Sequence, residues 1–257
     1  INRTGKFVIP PIYDEYGLDD YFQDGYIRFE SGTYDGFLNT KGDTVILPIY
    51  DQIRDFSEGM VAVDVNNKWN FIDRKGNILL KEWYDDVNDF SDGMAAVRNW
   101  SQSMPISYVN LKGELLQLDT AVFESMNAYA DDFNEGLAAA ELKNGKAVYI
   151  DKTGKIILQG DFWYAGKFSE GMAKVWDTIG VYFIDKTGKK ISQHFSDADD
   201  FENGLAAVYT GNDVGNIATG CVVAGTSYRF HSSSLFTGDL KMGYINKQGV
   251  VVWKPTR

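Results

Sequence analysis

Phe56-Ser57-Glu58-Gly59-Met60-Val61-Ala62-Val63 runs through a short loop into Lys68-Trp69-Asn70-Phe71-Ile72-Asp73-Arg74-Lys75-Gly76. The opening half of this phrase returns as Phe22-Gln23-Asp24-Gly25, Phe90-Ser91-Asp92-Gly93, Phe133-Asn134-Glu135-Gly136, Phe168-Ser169-Glu170-Gly171 and Phe201-Glu202-Asn203-Gly204. Its closing half returns at Asn39 to Gly42, Asn110 to Gly113, Asp151 to Gly154, Asp185 to Gly188 and Asn246 to Gly249, with a stub at Asn2 to Gly5. A period of about 34 residues decides architecture before any single side chain does, because one such unit cannot bury its own apolar face. Residues that return six times read first as scaffold.

Behind each Phe-x-x-Gly stands a run of small and β-branched residues, such as Val61-Ala62-Val63, Ala95-Ala96-Val97 and Ala206-Ala207-Val208. Runs about five residues long, bounded by Gly, read as strands rather than helices. They are apolar on both faces, as a strand with neighbours on each side must be. A second strand holds Trp69 and Phe71-Ile72, Val148-Tyr149-Ile150 or Tyr182-Phe183-Ile184 and ends in Asx-x-x-Gly. There the Asp or Asn side chain takes a backbone N–H two residues on, and Gly supplies the positive φ that leaves the turn. Asp73, Asp151 and Asp185 are therefore read as turn formers. A third strand follows (Lys6-Phe7-Val8-Ile9, Thr44-Val45-Ile46-Leu47, Ile78-Leu79-Leu80, Ile156-Ile157-Leu158, Val250-Val251-Val252), with Pro10 and Pro48 closing two copies. Tyr13-Asp14, Tyr50-Asp51 and Tyr84-Asp85 then lead, through a short fourth strand, to the next Phe-x-x-Gly.

The two linked phrases resemble the WG-repeat family of bacterial proteins, also called KWG repeats. The resemblance covers almost the whole chain, although the name-giving pair is worn to Asp35-Gly36, Trp69-Asn70, Ala147-Val148, Val181-Tyr182 and Met242-Gly243. It implies a surface or interaction module with no reaction attached. The strand and turn order is also similar to blades of TolB-type β-propellers. The expected fold is thus an all-β repeat protein of six units, read as a six-bladed β-propeller that closes its sheet edges. An open β-solenoid or superhelix is the alternative, favoured by the duplication of the Gly249 to Trp253 strand at Gly5 to Pro10. One domain is expected over 1–257, with repeats near 13–47, 48–80, 81–117, 118–158, 159–192 and 193–257 and an insertion at 210–241.

A net charge of −11 argues against nucleic acid or an anionic membrane surface as partner. The longest apolar runs are strand-sized, so no membrane insertion is expected. The chain opens inside a repeat, which reads as a piece of a longer protein. The single Cys221 fits a cytoplasmic or a disulfide-poor secreted protein; an extracellular or cell-surface setting is the working expectation.

The sixth unit breaks period between Tyr209 and Met242, and long loops on a rigid scaffold are where recognition concentrates. Its Arg229, Phe230 and His231 put a cation, an aromatic ring and an imidazole within three residues. With Trp100, in the smaller insertion at Trp100 to Pro105, they form the candidate binding set for a protein or glycan partner. No catalytic residue, metal ligand or cofactor is assigned. Cys221 and His231 lie in no nucleophile signature, and His194 reads as structural. The carboxylates before each Gly turn form no calcium loop and read as a solvated acidic rim. Tryptophans off the repeat register, Trp83, Trp163 and Trp176 among them, are candidates for exposed contact. The expectation is a non-enzymatic binding module; a carbohydrate-binding or glycan-processing propeller is the alternative.

Overall fold

A computed structural model describes residues 4–9, 21–100, 106–119, 121–123, 132–210 and 241–253. Every regular element among them is a strand. The strands form six separate sheets in chain order, each an antiparallel meander of three or four strands, which is how a propeller blade is built.

Sheet one holds β1 (Tyr26–Ser31), β2 (Tyr34–Asn39) and β3 (Thr44–Tyr50). In sheet two are β4 (Gln52–Ile53), β5 (Met60–Asp64) and β6 (Trp69–Asp73). Sheet three runs β7 (Asp86–Val87), β8 (Met94–Arg98), β9 (Ser107–Asn110) and β10 (Leu115–Gln117). Sheet four has β11 (Leu137–Glu141), β12 (Ala147–Asp151) and β13 (Ile156–Gln159). Sheet five has β14 (Tyr164–Ala165), β15 (Met172–Trp176) and β16 (Val181–Asp185). Sheet six closes with β17 (Asp197–Ala198), β18 (Leu205–Thr210), β19 (Lys241–Asn246) and β20 (Val251–Trp253). The chain divides into two compact units, Ile1–Gln102 with Ser107–Leu115 and Ser103–Ile106 with Leu116–Arg257.

Among the described residues, the short strand before Phe56, Phe90, Phe168 and Phe201 pairs forward. Residues Ile53, Val87, Ala165 and Ala198 bridge to Val63, Val97, Val175 and Val208, across the turn. The third strand is less regular than the sequence reading has it. In sheets two and five it shrinks to single bridges, Ile72 to Ile78 and Ile184 to Lys190. Lys6 to Ile9 takes no strand pairing among the described residues; Val8 and Ile9 instead pack beside Gly42.

Within each unit, cores lie between consecutive sheets. In the first unit, Val61 and Val63 face sheet one through Phe37, Ile46 and Phe56, whereas Ala62 faces sheet three with Phe71 and Phe90. In sheet two the small strand is thus buried on both sides, which suits Ala and Val there. In the second unit, Phe168 and Ala173 pack with Tyr149 and Phe162, and Phe201 packs with Phe183 and Phe195.

Candidate functional site

Each sheet has two ends of different character. One end holds the Phe-x-x-Gly and Asx-x-x-Gly turns. At the first, Ser57 and Met60 exchange backbone hydrogen bonds of 2.8 and 2.9 Å around Glu58 (φ 52) and Gly59 (φ 84). Two consecutive positive φ values define a type I′ hairpin turn, whose twist matches that of the strands. The residue before the glycine therefore also adopts a left-handed conformation, in all six copies. At the second turn, Asp73 Oδ1 accepts the N–H groups of Lys75 (2.8 Å) and Asn77 (2.9 Å), and Asn39, Asn110, Asp151, Asp185 and Asn246 repeat the pattern. Hydrogen bonds from Asn77, Thr153 and Thr187 hold the Asp73, Asp151 and Asp185 carboxyls below their ordinary range.

These turns also clasp one repeat to the next. Ser57 and Ser169 donate their hydroxyls to the carbonyls of Phe90 and Phe201, each at 2.6 Å. Carboxylates of Glu58, Glu135 and Glu170 accept the N–H of Gly93 (2.7 Å), Gly171 (3.0 Å) and Gly204 (2.9 Å). Lys186 and Lys247, from the following Asx turn, pair with Glu135 (3.0 Å) and Glu170 (2.9 Å). Lys247 first, then the Gly204 N–H, lower the Glu170 carboxyl. So Glu58, Glu135 and Glu170 are structural staples between repeats and not part of a merely solvated rim.

The opposite end carries the hairpins between the small and second strands. Both insertions leave from it: Trp100 to Pro105 between β8 and β9, and the long segment between β18 and β19. Trp100 is 75% exposed and its backbone N–H donates to Asp85 at 2.9 Å. Asp85 also pairs with Lys68, and these two partners, Lys68 foremost, depress its carboxyl. Arg229, Phe230, His231 and Cys221 lie outside the described residues.

Sheet five adds a cluster that the sequence reading left dispersed. Trp163 (46% exposed) donates its indole N–H to the Asp177 carbonyl at 3.2 Å, and Ile179 at the hairpin tip is 55% exposed. The Asp177 carboxylate meets His194 Nε2 at 2.8 Å, with Lys190 3.1 Å from the same ring nitrogen and Tyr182 edge-on to the ring. Burial works against the Asp177 charge, but hydrogen bonds from His194 and the Ile179 and Gly180 N–H groups outweigh it and lower its pKa. One signal was available: Trp163 occupies the register that holds Asp51 and Asp85 in other repeats, an aromatic ring where a turn acid belongs.

A cleft of 470 Å³ lies within the first unit, lined by Arg28, Asp35, Arg54, Asp55, Trp69 and Asp89 among others. Arg54 stacks 4.4 Å above the Trp69 ring and donates to the Val87 carbonyl at 2.8 Å. Among the described residues no group of three or more His, Cys, Asp or Glu is placed to hold a metal ion, and no helix is long and apolar enough to cross a membrane.

The family described as WG containing repeat matches residues 1–32, 36–69, 71–99, 149–175 and 183–212. No curated protein matches the chain. Among solved structures, BamB from Moraxella catarrhalis is similar at 12% identity, covering 74% of this chain and 68% of its own, with a TM-score of 0.38. Hsv2 from Kluyveromyces lactis is similar at 10% identity, over 76% of this chain and 80% of its own, with a TM-score of 0.46. YCF48 bound to D1 peptide is similar at 12% identity, over 73% of each chain, with a TM-score of 0.40.

Proposed function

The chain belongs to the WG-repeat family, and from that premise we propose that it is a non-enzymatic module that binds a protein partner through the hairpin ends of its sheets. The observation that carries this reading is the contrast between the two ends. At the turn end, acids, hydroxyls and glycines satisfy one another across repeats. Trp100 at the hairpin end of sheet three, and Trp163 and Ile179 at that of sheet five, stand exposed, and exposed large aromatics are the usual anchors of interfaces. The insertion at 210–241, with Arg229, Phe230 and His231, leaves from the same end of its sheet. The catalytic reading finds less support. His194 bonds the Asp177 carboxylate and the Lys190 ammonium and packs edge-on to the Tyr182 ring, and no Ser, Thr or Cys among the described residues hydrogen-bonds it.

A glycan partner is the second reading, favoured by the exposure of Trp100 and Trp163. Probing the full chain against surface and secreted proteins of its source, and in parallel against a glycan array, separates the two. A protein partner retained by the parent and lost by a Trp100→Ala/Trp163→Ala double variant supports the proposal. Retention of that partner by the double variant refutes it, and array signal alone moves the assignment to glycan.

A further inference from the structure

Three times, a cation of one repeat reaches across to the short strand of the next. Arg28 donates to the Ile53 carbonyl (3.1 Å), Arg54 to that of Val87 (2.8 Å) and Lys174 to that of Ala198 (3.0 Å). These three carbonyls share one register, the second residue of β4, β7 and β17. Two residues further on, just before the phrase's Phe, each repeat carries an aspartate: Asp55, Asp89 and Asp200. Arg54 lies 3.5 Å from Asp89, and Lys174 lies 3.2 Å from Asp200, an ion contact rather than an aligned hydrogen bond. The clamp thus has two parts, carbonyl and carboxylate, both taken by one cation.

In the first clamp only the carbonyl is taken. Asp55 meets no cation among the described residues, and it opens into the 470 Å³ cleft between sheets one, two and three. The two arginines of that cleft are already committed, Arg28 to the Ile53 carbonyl and Arg54 to Val87, Asp86 (3.8 Å) and the Trp69 face. Carboxylates outnumber guanidiniums on the wall, with Asp35, Asp55 and Asp89 against Arg28 and Arg54. The whole chain, at −11, repels an anion further. The volume lies within the ~300–1,000 Å³ range of ligand clefts.

We propose that this cleft receives a lysine or arginine side chain of a partner protein, whose charge completes the clamp at Asp55. The proposal rests on the protein-binding reading above and names the chemistry of one contact within it. Charge complementarity selects this guest over an acidic one, and the repeated clamp shows the geometry a cation takes beside such an aspartate.

The test is titration of the isotope-labelled full chain with blocked Gly-Lys-Gly, Gly-Arg-Gly, Gly-Gln-Gly and Gly-Glu-Gly peptides, followed by amide and indole NMR shifts. The cationic peptides are expected to shift Gln52 to Asp55 and the Trp69 indole N–H, with weaker binding at raised salt. Asp55→Asn should weaken them at least fivefold with its melting temperature unchanged, Asp55→Glu should restore part of the affinity, and Asp161→Asn, at an exposed carboxylate of the second unit, should leave it intact. Equal shifts from the neutral or acidic peptide, or unaltered binding by Asp55→Asn, would overturn the proposal. If the cleft fails this test while Trp100→Ala/Trp163→Ala still loses its partner, the binding-module reading stands without it. If the cleft passes and the double variant keeps its partner, the cleft stands and the hairpin-end reading falls.

Discussion

The two ends of sheet five differ more than any two of its strands. At its turn end, Ser169, Glu170 and Gly171 stand in the same register as Ser57, Glu58 and Gly59, and make the same cross-repeat bonds. At its hairpin end, Trp163, Ile179 and His194 give way in sheet two to Asp51, Asn67 and Trp83, while Asp64, like Asp177, caps its hairpin by accepting a backbone N–H. Repetition therefore marks bonds that every interface between repeats needs. Variation marks the end that is free to meet something else.

Substitution at the glycines should break this comparison first if it is wrong. A Cβ at Gly249 would stand 2.1 Å from the Ile191 carbonyl oxygen, on a backbone with φ of 73°. Gly249→Ala should then cost about 3 kcal/mol or more in urea unfolding, from backbone overlap and left-handed strain together. Gly59 is the sharper control, because nothing lies within 4 Å of its Cβ position and only its φ of 84° is at stake. Gly59→Ala should cost about 1 kcal/mol. Equal losses at the two sites would show that strain, not contact between repeats, dominates both turns.

Acid should loosen the turn end through its lowered carboxylates, as it loosens the hairpin end through Asp85 and Asp177. Asp73, Asp151, Asp185 and Glu170 have folded pKa values below their unfolded ones, so their contribution is present above the unfolded value near 4 and is lost as pH falls through the folded values. Asn serves the same turn at Asn39, Asn110 and Asn246. Asp185→Asn should accordingly leave stability near neutral pH unchanged and flatten the decline between about pH 5 and 3. A steeper acid decline in that variant would contradict the assignment.

Much of the scaffold was legible because its signals are local. The Phe56 to Gly59 turn, the small strand behind it and the Asp73 turn each declare themselves within a few residues. The staples were not, since Ser57 finds Phe90, and Glu170 finds Gly204, 33 and 34 residues away in sequence. A solvated acid and a stapled one look alike until the next repeat is placed beside them. For the same reason the short strand could be read but not its partner, which lies beyond the turn. At the hairpin end, Trp100 was legible as the start of an insertion. The join of Trp163 to His194 through Asp177 was not, because it crosses two loops of different repeats.

The smallest expected effect on stability is also the most direct test of the division between the ends. The Trp100→Ala/Trp163→Ala variant and an Arg229→Ala/Phe230→Ala/His231→Ala variant should each melt within about 2 °C of the parent, the first because exposed side chains contribute little to folding and the second because it touches no residue of the repeated phrases. Partner binding, measured beside the melting curve on the same samples, should fall at least tenfold in one or both. Binding that survives in both variants, or a melting temperature that falls together with binding, would contradict the claim that recognition and stability sit at opposite ends of these sheets.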